Sequence, residues 1–90
     1  MVADHSAVER LLKTARGQLD GVLKMIDDDR YCMDISNQIL SVLAILRKAN
    51  RLVVESHLGS CVKQAFQKQD VREQEEKISE IMDLLEKMTK

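Results

Sequence analysis

Residues 31–67, YCMDISNQILSVLAILRKANRLVVESHLGSCVKQAFQ, contain no proline and a single glycine, Gly59. Ile35, Ile39, Val42, Leu46, Ala49 and Val53 recur at alternating gaps of four and three, the spacing of one face of an α-helix. Leu40, Leu43, Ile45 and Leu52 widen that stripe, which predicts burial against more than one neighbour. Gly59 costs about 1 kcal/mol in a helix interior but does not by itself end the helix, and CVKQAFQ continues it. The stretch therefore reads as one long helix over about residues 31–67.

Upstream, Ser6 and Glu9 stand in capping-box spacing. Val8, Leu11, Leu12, Ala15, Leu19, Val22, Leu23 and Ile26 follow at helical intervals, predicting a first helix over about 7–27. Acidic side chains are unfavourable at a helix C-terminus, so DDDR at 27–30 reads as the turn. Downstream, Asp70 and Glu73 resemble a second cap, before Ile78, Ile81, Met82, Leu85 and Met88 on one face of a third helix over about 71–88. From Asp70 to Lys90 there are seven acidic and four basic residues, so the outer face of that helix reads as solvated. Gly17 and Gly21 lie four apart on the first helix, where close helix approach would account for them. Met25 and Met33 read as core filler.

The 90 residues, 44% hydrophobic, form one small all-α domain whose core would be marginal alone, so a partner subunit is expected. No run approaches the roughly 20 apolar residues of a membrane span, and the N-terminus lacks a signal-peptide pattern. Cytosolic placement and no membrane partner are expected. There the two cysteines, Cys32 and Cys61, remain thiols suited to metal binding or redox sensing. A net charge of −1 gives no global sign of nucleic-acid binding, so such binding must rest on local patches. Nothing pairs a nucleophile with a general base, which argues against an enzyme.

Cys32, His57 and Cys61 share one side of the central helix, since 25 residues is close to seven whole turns. At about 1.5 Å per residue, however, Cys32 and His57 are roughly 37 Å apart along the axis. An antiparallel second copy removes the conflict by setting Cys32 of one subunit opposite His57 and Cys61 of the other, with the two-fold axis near Ile45. Two thiolates and one imidazole form a soft donor set that favours Cu(I) over zinc or nickel.

YCMDISNQILSVLAILRKANRLVVESHLGSC and RGQLDGVLKMIDDDRYC resemble the copper-sensing operon repressor family (CsoR), over nearly the whole chain. The resemblance implies a three-helix subunit with a long central helix, an antiparallel four-helix-bundle homodimer and pairing of dimers into tetramers. It implies Cys32, His57 and Cys61 as Cu(I) ligands, with Tyr31 and Glu80 as supporting residues near the bound metal. It also implies a repressor that releases operator DNA when Cu(I) binds. The DNA-contacting face would be built from Arg10, Lys13 and Arg16 on the first helix and Arg47, Lys48 and Arg51 on the second. Positions commonly basic in the family correspond here to Leu11, Lys13 and Thr14, of which only Lys13 is basic. His5 is a candidate fourth ligand but does not align with the N-terminal ligand of the nickel sensors. Two other readings stay open: a Cu(I)-binding protein of this fold without repressor activity, and a thiol redox or persulfide sensor.

Overall fold

The computed structural model describes residues 4–88, apart from the side chain of Cys61. The elements are α1 (His5–Asp27), α2 (Cys32–His57), a π-helical turn (Leu58–Val62), α3 (Lys63–Gln67) and α4 (Val71–Met88). The described residues form no strand, and the fold is all-α.

The cap of α1 is Asp4 rather than Ser6. Its Oδ1 accepts from the backbone N–H groups of Ser6 at 3.0 Å and Ala7 at 3.3 Å. A carboxylate there satisfies two unpaired amides and faces the positive end of the helix dipole, which a hydroxyl does less well. At the other end Asp29 takes a left-handed conformation, φ 50°. Its N–H donates to Ile26 O at 3.1 Å and that of Arg30 to Met25 O at 3.0 Å, the paired bonds of a Schellman cap. The short link that follows folds α2 back against α1 as an antiparallel neighbour.

The uninterrupted α-helix expected over about 31–67 is corrected at Leu58–Val62, where the bonding widens to the π pattern. His57, Leu58, Val62 and Lys63 all keep right-handed helical dihedrals, so α2, the π turn and α3 remain one rod. The turn falls around Gly59, where intrinsic helix preference is weakest. A Cβ on Gly59 would meet no atom within 4 Å, so steric need is not what fixes the glycine. Beyond the rod, Asp70 caps α4, its Oδ1 accepting from Arg72 N at 3.1 Å and Glu73 N at 3.3 Å. Helix α4 packs on α3 and runs back beside α2, leaving a groove lined by Arg47, Asn50, Arg51, Leu84, Lys87 and Met88.

The buried side chains are small: Val8, Ala15 and Val22 on α1, Val42 and Ala49 on α2, and Ala65 on α3. Ala15, Val22 and Val42 pack together, flanked by Ile35 and Ile45. Met25 is half-buried, but Met33 is 55% exposed, correcting its expected place in the core of the chain. The close approach expected at Gly17 and Gly21 is likewise not made within the subunit, because a Cβ on either would meet nothing within 4 Å. Leu12, Leu19, Leu23 and Ile26 on α1 and Ile39, Leu40, Leu43 and Leu46 on α2 are all exposed. The accessible surface is 7042 Å², against about 5,400 Å² for a folded monomer of this size. The molecule is a flat slab of 58 × 28 × 13 Å with too little interior to hide its own apolar surface.

Candidate metal centre

Cys32 opens α2 directly after its N-cap, Tyr31, and its side chain is exposed. His57 closes the same helix and is half-buried, while Cys61 belongs to the π turn. Because the turn begins immediately after His57, the angle between His57 and Cys61 is set by π rather than α geometry. The rise of α2 separates Cys32 from His57 by roughly 37 Å. Among the described residues of one chain, no three His, Cys, Asp or Glu side chains are grouped to hold a metal ion.

Exposure shows where a second chain could complete the set. At 100° per residue, Cys32, Ile39, Leu43, Leu46 and His57 fall within about 60° of helix circumference. The three apolar members of that line are 39–44% exposed. Ile35, Val42 and Ile45, which pack with Ala15 and Val22 of α1, and the buried Ala49 occupy the adjoining sector. Candidate ligands and uncovered apolar side chains thus share one stripe.

At the far end of the rod, Nε2 of His57 lies 3.1 Å from Oε2 of Glu80, a contact that joins α2 to α4. With Nε2–H donating to the carboxylate, Nδ1 carries the lone pair of the neutral ring. Oε1 of Glu80 lies 3.5 Å from Nζ of Lys77. The structure therefore brings His57 and Glu80 together, whereas Cys32 and Tyr31 lie at the opposite end of α2. Tyr31 serves α2 through its carbonyl, which accepts from the N–H groups of Asp34 and Ile35, while its side chain is 69% exposed. His5 is exposed at the first turn of α1, beside Val8, Glu9 and Leu12.

All six candidate DNA-contacting residues are exposed. On α1, Nζ of Lys13 is paired with Glu9 at 3.0 Å, and the Thr14 hydroxyl donates to Arg10 O at 2.9 Å. On α2, Arg47 and Arg51 border the groove with α4, to which Lys87 adds a further cation. Sequence reasoning did not single out Lys87, because with seven acidic and four basic residues the outer face of α4 reads as simply solvated. The available signal was its spacing of seven from Glu80, two turns along the same face.

The all-helical slab thus carries two cysteines and a histidine divided between the two ends of one rod. Residues 4–87 match the model of the metal-sensitive transcriptional repressor family, and the chain belongs to that family. It is 38% identical over 87 residues to the copper-sensing transcriptional repressor CsoR of Bacillus subtilis, covering 97% of this chain and 83% of that protein. It is 44% identical over 57 residues to CsoR of Mycobacterium ulcerans, covering 63% of this chain and 48% of that one. The chain thus spans about half the length of the mycobacterial relatives it matches. Its fold is similar to the crystal structure of the copper-sensing repressor CsoR with Cu(I) from Geobacillus thermodenitrificans. The TM-score is 0.84 at 35% identity, over 92% of this chain and 83% of that one.

Proposed function

We propose that this chain is a Cu(I)-responsive transcriptional repressor acting in the cytosol. Its metal site is built between two antiparallel subunits from Cys32 of one and His57 and Cys61 of the other. The observation that carries this reading is the His57–Glu80 contact at 3.1 Å, which leaves Nδ1 free on the stripe shared by Cys32, Ile39, Leu43 and Leu46. Covering that stripe with a second copy unites the ligands and hides the exposed leucines in one step. The donor set fits the group: two sulfurs and one nitrogen suit a soft ion of low coordination number. Bound Cu(I) would supply a positive centre linking thiolates of two subunits. Glu80 fixes the orientation of the imidazole, and Tyr31 adjoins Cys32 at the start of α2. Arg10, Lys13, Arg16, Arg47, Lys48 and Arg51 meet phosphates on the polar faces, and dimers pair into tetramers. Coupling is reciprocal, so DNA weakens Cu(I) binding by the factor by which Cu(I) weakens DNA binding.

The test is a Cu(I) titration of the reduced protein against a chromophoric chelator, alongside binding to duplexes selected from a random pool by the metal-free protein. Wild type binds Cu(I) tightly and then releases DNA. Cys32→Ala and Cys61→Ala lose tight copper binding, and His57→Ala keeps copper but loses the release. Tight binding by either cysteine variant would overturn the ligand assignment. A specific observation favours a second reading, a Cu(I)-binding protein without repressor activity: Leu11 and Thr14 add no charge to α1, and Lys13 is engaged by Glu9 at 3.0 Å. Tight Cu(I) binding with no duplex selected at low salt would establish that reading instead.

A further inference from the structure

The cation that grips Glu80 from the side away from His57 has no role in the site described so far. Lys77 stands one turn before Glu80 on α4, and its Nζ lies 3.5 Å from Oε1 of the same carboxylate whose Oε2 meets His57. It also differs from three other paired cations among the described residues. The side chains of Lys13, Arg30 and Arg72 in their ion pairs are 55–90% exposed, whereas that of Lys77 is 23% exposed. Its methylene stem is therefore laid down against the protein before the ammonium reaches the carboxylate, and its rotamer freedom is already reduced.

We propose that Lys77 is a positioning residue for the metal site: it anchors Glu80 by one oxygen so that the other holds His57 with Nδ1 toward the metal. This rests on the metal-site reading above. The physical case is a comparison of two effects. A glutamate side chain that is 52% exposed has several solvated rotamers, and a single contact with an imidazole leaves it free to leave that geometry. Two tethers on opposite oxygens remove most of those alternatives. The opposing effect, withdrawal of charge from the carboxylate by the ammonium, is weakened by solvent at this exposure. Orientation wins, so Lys77 strengthens the hold on His57. The influence runs wholly through Glu80, and Lys77 touches neither the metal nor its ligands.

The experiment uses the full chain, reduced, with four variants: Lys77→Met, which keeps the stem and removes the charge, Lys77→Arg, which keeps the charge, Glu80→Gln alone, and the pair Lys77→Met with Glu80→Gln. Two quantities are read: Cu(I) affinity by chelator competition, and the fraction of neutral His57 in the Nε2–H form, from ring ¹⁵N shifts of the metal-free protein. Lys77→Met lowers Cu(I) affinity about threefold to tenfold, less than the roughly 10–100-fold typical of a group bonded directly to a metal ligand. It also lowers the Nε2–H fraction, and Lys77→Arg restores both. In the Glu80→Gln background the Met substitution adds nothing further, an outcome that a merely structural lysine would not produce. An unchanged tautomer ratio in Lys77→Met, or an undiminished effect in the Glu80→Gln background, would overturn the proposal. Should Lys77→Met fail to fold, Lys77→Gln takes its place in the same comparison. The tautomer measurement needs no copper, so failure of wild type to bind Cu(I) would end the metal-site reading while still deciding what Lys77 does to His57.

Discussion

His57 is where two helices and two ideas of the site converge. Its ring ends α2, its Nε2 is held by Glu80 of α4 at 3.1 Å, and Nδ1 is the ring nitrogen proposed above to meet the metal. Replacing Glu80 with Gln keeps the shape but removes the charge from the acceptor, and charge-assisted hydrogen bonds are roughly twice as strong as neutral ones. Glu80→Gln therefore lowers Cu(I) affinity about tenfold, with both thiolates still bound, as chelator competition and sulfur-to-copper absorption would show. Equal affinity in the variant would remove Glu80 from the site. The three proposed ligands were legible because two cysteines and a histidine on one side of a helix are few enough to weigh individually. Glu80 came from family resemblance, since one glutamate among seven acidic residues after Gln69 has no distinguishing mark of its own. Lys77 was not legible at all. A lysine three residues before a glutamate is ordinary on a helix surface, and only the burial of its stem sets it apart.

At the scale of the helices, caps were partly readable and hydrogen-bond pattern was not. Asp70 caps α4 as its spacing to Glu73 suggested. For α1 the capping-box spacing of Ser6 and Glu9 pointed two residues too far along, because Asp4 caps the amides of Ser6 and Ala7 and the helix has already begun by Ser6. Asp4→Ala is expected to destabilise the protein by about 1 kcal/mol, and Ser6→Ala by a few tenths at most. Thermal denaturation of the two variants checks the order, and a larger loss in Ser6→Ala would return the cap to Ser6. The π turn was invisible in the sequence because its apolar spacing still suits an α-helix on either side. Gly59 marked a soft place without saying how the chain would use it.

The whole molecule is best understood by what it lacks. Among the described residues the buried ones are valines and alanines, while the larger aliphatic side chains are half-buried or exposed. The all-α class was readable from the absence of proline and the helical apolar spacing, while a partner was expected from the small size of the domain, an expectation with which the exposed apolar stripe on α2 agrees. The surface excess over a compact monomer, roughly 1,600 Å², is enough to contribute more than one side of a standard interface. Leu43, 39% exposed on the stripe with Cys32 and His57, is a direct probe. Leu43→Glu is expected to shift the protein toward monomer in sedimentation velocity and to lose tight Cu(I) binding in the same concentration range, with helicity retained. A monomeric variant that still bound copper tightly would separate the site from the interface. Charge at the slab's edge is a distinct matter. Arg47→Ala and Arg51→Ala should each flatten the plot of log affinity for DNA against log salt by about 0.9.

The length of the rod has a genetic corollary. Because one end carries a sulfur and the other a nitrogen and a second sulfur, a subunit damaged at its front is sound at its back. Mixing Cys32→Ala protein with Cys61→Ala protein, each inert toward copper alone, should yield hybrids in which one pocket inherits both defects and its twin none. Such mixtures would recover up to one copper per hybrid pair, so two crippled alleles in one cell could together restore the response that neither provides.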